Sequence, residues 1–184
     1  IGVSSVAAVS NSAAMLKHFC PNIPDLKAEI KQLQRKMARS QRVNNKASFK
    51  KDTFIKKDKH IVRKKGTVKR GSKFFNSKNY KKDSLKLKEL HRVLAEKRNI
   101  EHNKLANQIL TLGNVIKIEK NSYKAWQKGW FGKTIGEKSP SAFVSTLKRK
   151  VSKTGGVSID IMPFKPKFSQ YCHVCGSFHK KPLG

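Results

Sequence analysis

Between residues 31 and 82 this chain carries 20 lysines and arginines against two acids, Asp52 and Asp58. The stretch supplies +18 of a formal charge of +31, which comes from 42 basic and 11 acidic residues among 184. Repulsion on that scale opposes a compact state unless a polyanion neutralises it. The fold must therefore keep its lysines apart or seat them on a partner. Nucleic acid fits that part, through phosphate contacts and the counterions they release. An anionic membrane fits poorly, because there is no run of 18 apolar residues and no amphipathic anchor. The apolar opening residues lack a basic leader and do not read as a signal peptide. Three cysteines, two of them close together, suit a reducing compartment and a metal rather than disulfides.

The basic segment is also the poorest in apolar periodicity: "NNKASFKKDTFIKKDKHIVRKKGTVKRGSKFFNSKNYKKDS". A charge run alone reads as a solvated loop. Aromatics interleave with the lysines here, at Phe49, Phe54, Phe74, Phe75 and Tyr80. That pattern suits stacking on bases beside phosphate contacts. The expectation is a flexible insertion over about 41–82 that orders on nucleic acid. Its contacts would come from Arg39, Arg42, Lys50, Lys51, Lys56, Lys57, Arg63, Lys64, Lys65, Lys69 and Arg70.

On either side the pattern is mixed α/β. "IGVSSVAAVS" is a short, β-branched run that predicts a buried strand, and "SAAMLKHF" a second strand after a turn at Ser10 and Asn11. Leu26, Ile30, Leu33 and Met37 fall at helical spacing over 25–39, with Asp25 as N-cap. A long helix is expected over 84–112, roughly 43 Å, with Leu87, Leu90, Leu94, Leu105 and Ile109 inward and Gly113 as the stop. "NVIKIEK" predicts a strand ending at Glu119. "SPSAFVSTLKRKVSKTGG" predicts a helix capped by Ser139, with Pro140 in its first turn and Phe143, Leu147 and Val151 inward. "VSIDIMPF" is a last strand. The order describes one mixed sheet flanked by helices.

Glu119 is the only acid between Glu101 and Glu137, at the carboxyl end of an apolar strand. Ligands of α/β sheets gather at that edge. A lone carboxylate among lysines suits a salt bridge or a metal ligand, and spacing does not choose between them. At the other end, "SQYCHVCG" holds Cys172 and Cys175, which is half of a four-ligand zinc site. His173 and His179 are makeshift candidates for the remainder. Trp126 and Trp130 suit base stacking or a hydrophobic edge, and the edge is expected. Cys20 reads as a small buried hydrophobe. Asp160 and the histidines at 60, 91 and 102 form no catalytic constellation.

Four segments stand in a recognisable order: "LQRKMARSQRVNN", "LANQILTLGNVIKIEKNSYKAWQK", "SAFVSTLKRKVSKTGG" and "SQYCHVCG". Together they resemble the insertion-sequence transposase accessory proteins of the OrfB, or TnpB, type. The resemblance covers nearly the whole chain. It implies an RNA-guided DNA endonuclease, akin to the ancestors of type V CRISPR effectors, acting in a prokaryotic cytoplasm with guide RNA and target DNA as partners. It further implies an RNase H-like, RuvC-type nuclease domain over 1–168 and the first half of a zinc ribbon over 169–184. An Asp, Glu, Asp triad would hold two divalent ions, Mg²⁺ or Mn²⁺, with Glu119 as the middle carboxylate; Zn²⁺ would fill the ribbon.

Two departures bear on activity. In the family an Asp directly precedes a stretch like "IGVSS", so the first carboxylate would lie ahead of Ile1. The third Asp and the second cysteine pair would follow Gly184. The resemblance thus implies an internal piece of a longer nuclease, inactive alone, because two ions about 3.5–4 Å apart need more than one carboxylate. The competing expectation is a basic structural RNA-binding protein of ribosomal type, with a zinc-ribbon tail and no catalysis.

Overall fold

The computed structural model describes residues 1–57, 60–162 and 175–179. The elements in chain order are β1 (Ser5–Val9), β2 (Ala14–His18), α1 (Lys27–Asn44), a 3₁₀ turn (Lys46–Ser48), β3 (Thr53–Lys57), β4 (His60–Lys64), α2 (Lys78–Leu110), β5 (Val115–Glu119), α3 (Tyr123–Lys128), α4 (Gly132–Lys138), α5 (Pro140–Lys153) and β6 (Val157–Ile161). The chain is of mixed α/β class. It divides into two compact units, one of Ile1–Ile23 with Glu96–Gly184 and one of Pro24–Ala95. Helix α2 contributes residues to both.

The first unit is organised by apolar burial. Strands β1 and β2 form an antiparallel hairpin in which Ser5 faces His18 and Val9 faces Ala14. Its turn is closed by the Ser10 N–H donating to the Ala13 carbonyl at 2.8 Å, while the Ser10 hydroxyl oxygen accepts the Ala13 N–H at 3.1 Å. Strands β5 and β6 pair in parallel, Val115 with Val157 and Glu119 with Ile161. Parallel pairing needs a crossover, supplied here by α3, α4 and α5. Val6, Phe19, Ala106, Ile118, Phe143, Leu147 and Val151 are buried in one cluster with Leu105 and Ile109. Each buried Val, Leu, Ile or Phe side chain among them contributes about 1.5–3 kcal/mol of transfer free energy. The inward stripe predicted for α5 thus lies in the core, as do Leu105 and Ile109.

Two details of α5 decide its ends. Ser139 takes a left-handed conformation (φ 47°) because it ends α4 and begins α5 at once; its hydroxyl makes no cap hydrogen bond, contrary to the expected role. At the other end the Val157 N–H donates to the Asn114 carbonyl at 2.9 Å. This brings the chain so close that a Cβ at Gly156 would run into that carbonyl oxygen. The carbonyls ending α4 are satisfied by α2: Arg98 donates to those of Gly136 and Glu137, and His102 Nε2 lies 2.9 Å from that of Lys138. A carbonyl only accepts, so Nε2 carries the proton and Nδ1 is left bare. Nδ1 is buried without a hydrogen-bond partner among the described residues. Burial, with Arg98 nearby, holds the imidazole pKa below its usual value, although the Lys138 carbonyl opposes this.

The second unit is built differently. Only Leu33 of α1 is buried, and α1 and α2 are tied by ion pairs, Lys36 to Asp83 at 2.9 Å and Lys86 to Glu29 at 3.0 Å. Asp25 accepts the Lys27 N–H at 3.1 Å, so it supports the start of α1 one residue ahead of the nominal cap. The basic segment over about 41–82 carries regular structure among the described residues. Helix α1 continues to Asn44, α2 starts at Lys78, and β3 and β4 form an antiparallel hairpin between them.

One expectation is corrected outright. Among the described residues the strands form three separate two-stranded sheets, not one mixed sheet. The facing edges of β1 and β5 do not pair; a cleft of about 580 Å³, lined by Val6–Ser12 and Val115–Glu119, lies between them. Among the described residues no helix is long and apolar enough to cross a membrane.

Candidate active site and nucleic-acid interface

In the first unit Glu119 is the last residue of β5. Its neighbour Ile118 is buried in the core, so strand alternation turns the Glu119 side chain outward, 47% exposed. Its Oε2 lies 3.8 Å from the Ile1 nitrogen. Asn121 joins the two, its Nδ2 donating to Glu119 Oε2 at 3.4 Å and to the Ile1 carbonyl at 3.3 Å. The carboxyl end of β5 therefore meets the chain leading into β1. Beyond Asn121, the Tyr123 phenol titrates above its usual value: burial is the main cause, Glu119's charge adds to it and Asn121 opposes it. Asp160, on β6, pairs with Lys148 at 2.5 Å.

The described donor set does not match a two-metal centre. Glu119 is a single carboxylate with the Asn121 amide beside it. No group of three or more His, Cys, Asp or Glu able to hold a metal occurs among the described residues. Of the predicted zinc ligands, Cys172 lies outside the described residues, as does His173. Cys175 is exposed, its Sγ 2.9 Å from the Ser177 hydroxyl, which lies 3.0 Å from His179 Nε2.

In the second unit the predicted phosphate contacts fall into two sets. Arg42 and Arg63 hold the base of the β3–β4 hairpin. Asp52 accepts the Gly66 N–H at 2.7 Å and Arg63 Nε at 2.8 Å, with Arg42 at 4.0 Å. Arg42 also donates to the Gly66 carbonyl at 2.9 Å and lies over the Phe49 ring at 4.6 Å. The Gly66 N–H, then Arg63, holds the Asp52 carboxyl below its usual range. Gly66 has to be glycine, because a Cβ would enter the Lys50 carbonyl. Asn45 clamps the far side, donating to the Phe75 carbonyl at 2.9 Å and accepting its N–H at 2.7 Å.

Arg39, Lys50, Lys51, Lys56, Lys64, Lys65, Lys69 and Arg70 are exposed, and their side chains form no ion pair among the described residues. Lys57 stands at the end of β3. Cross-strand pairs place Phe54 opposite Arg63, Lys56 opposite Ile61 and Ile55 opposite Val62. Phe54, Ile55, Ile61 and Val62 are all exposed. The hairpin is thus a basic ribbon with an apolar component, and a two-stranded ribbon is one of the shapes a duplex groove admits.

Sequence reasoning missed Asp52, Asn45 and Asn121. No local pattern marks them, since their partners lie as far as 14, 30 and 120 residues away. No protein-family model matches this chain, and no curated protein matches it.

Proposed function

We propose that this chain is a nucleic-acid-binding nuclease domain of the OrfB/TnpB type, with Glu119 as one carboxylate of its metal site and an RNase H-like strand order. One observation carries the reading: the carboxyl end of β5, bearing Glu119, lies beside the chain entering β1. An acidic residue at the amino end of β1 would share a cleft with Glu119, at the strand edge where α/β sheets take ligands. The antiparallel β1–β2 pair and the parallel β5–β6 pair, flanking one cleft, are compatible with that strand order. The exposed lysines of the β3–β4 region that form no ion pair among the described residues supply the affinity for RNA and DNA.

The test uses a chain that carries the aspartate ahead of Ile1 and the downstream carboxylate the resemblance implies. Glu119→Gln keeps the shape and removes the charge, so DNA cleavage should vanish while oligonucleotide binding persists. Full cleavage by the Gln variant would reduce Glu119 to a salt-bridge partner. The second reading, a non-catalytic basic RNA-binding protein, draws on the exposed lysines and arginines of the second unit, which need no catalysis. It expects binding alone, with no cleavage in either version.

A further inference from the structure

Trp130 is fully exposed, at 101% of its reference surface, and the adjoining Phe131 is 58% exposed. This overturns the expected hydrophobic-edge role for Trp130. Trp126 differs, being half-buried and edge-on to Tyr123 with ring centroids 5.4 Å apart. A tryptophan in water costs free energy unless a partner covers it.

The turn that presents Trp130 is held from both sides. The Gly129 N–H donates to the Trp126 carbonyl at 3.2 Å and the Gly132 N–H to that of Gly129 at 3.0 Å. A Cβ at Gly132 would strike the Gln127 carbonyl, so the approach requires glycine. The Phe131 carbonyl accepts the Ile135 N–H at 2.9 Å, and Ile135 is buried, which anchors α4 beneath the turn. Lys124, Lys128 and Lys133 surround it in sequence, exposed and without ion pairs among the described residues. No acid occurs between Glu119 and Glu137.

We infer that Trp130, with Phe131, is a stacking platform for an unpaired base of single-stranded nucleic acid, its flanking lysines meeting the adjacent phosphates. The chemistry chooses this occupant: an indole face stacks on any base, and the three exposed lysines within six residues of Trp130 match the backbone's charge. A protein partner would match the aromatic face but not the unrelieved positive rim. The inference rests on the nucleic-acid reading above and adds a single-strand site, outside the hairpin, to it.

The test titrates the whole chain with oligo-dT, oligo-U and a duplex of equal length, following tryptophan emission and anisotropy. Single strands should quench the emission. Trp130→Ala should weaken single-strand binding on the order of tenfold, with duplex affinity and salt dependence unchanged; Trp130→Phe should keep most of the affinity. Comparing the oligo-dT and oligo-U arms tells whether DNA or RNA is the better ligand. Unaltered single-strand binding by Trp130→Ala overturns the stacking site, as does an equal loss on duplex or an effect confined to self-association. A parent chain that binds no nucleic acid would sink the broader reading together with this one. Because Trp130 is solvent-exposed, its variants should fold, which circular dichroism checks.

Discussion

The two units are held together by different physics. In the first, Val6, Phe19, Ile118, Phe143, Leu147 and Val151 share one apolar cluster, and the polar groups mostly finish helix ends. In the second, Leu33 is the only buried side chain of α1, and order comes from Asn45, Asp52, Arg42 and the Lys36–Asp83 pair. A chain with this charge cannot bury a core everywhere, since lysines must reach water. Where apolar surface runs short, directional bonds to the backbone set the path instead. The difference predicts that core lesions act globally in the first unit and clamp lesions act locally in the second.

The largest effect should come from Phe143→Ala. Phe143 is fully buried and meets Phe19 edge-on at 5.1 Å. Removing the ring should cost about 3–5 kcal/mol from lost transfer and residual cavity. Both tryptophans lie in this unit, so their fluorescence in denaturant reports it. A loss below about 1 kcal/mol would mean that the cluster is loosely packed and the contrast false.

This contrast also explains what could be read in advance. Apolar stripes at fixed spacing revealed α5, the end of α2 and the strand that stops at Glu119. The same rule failed wherever apolar residues are sparse. The hairpin is ordered by Asp52 reaching Gly66, and α3 and α4 are short helices, the second of which Arg98 and His102 finish from α2. The single expected sheet failed for another reason: strand identity was legible, but which strands pair is set by long-range packing that no local pattern encodes, and β1 and β5 line a cleft instead of pairing. Glu119 was legible because strand and acid are local; its neighbour Asn121 became visible only in three dimensions.

A medium effect should come from His102, the polar member of the apolar unit. Its folded pKa lies below the ordinary value of 6.5, so the unfolded chain binds the proton first as pH falls. Stability is therefore full above that value and declines below it, by at most about 1.4 kcal/mol per pH unit for one group. The decline should continue until the folded pKa is reached. Melting temperatures at pH 7.5 and 5.5 test this, with His102→Gln as control, since Gln does not titrate. An equal decline in that variant would assign the pH dependence to other groups.

The smallest effect should be the most local. Asp52→Ala removes the acceptor shared by Gly66, Arg63 and Arg42, and so opens the base of the β3–β4 hairpin. Hydrogen exchange should show protection lost in β3 and β4, with β5, α5 and β6 unchanged. Acid should act similarly on the parent chain. Asp52 titrates below its usual range, so its support is present above the ordinary carboxylate pKa and is lost as pH falls through the folded value. Freed from Asp52, Arg63 becomes one more cation for phosphate, so nucleic-acid affinity should hold or rise despite the looser hairpin. Spread of the exchange change into β5 or α5 would show that the units are not independently held. Undiminished protection in β3 and β4 would shift the clamp's role to the ladder hydrogen bonds between Thr53 and Lys64.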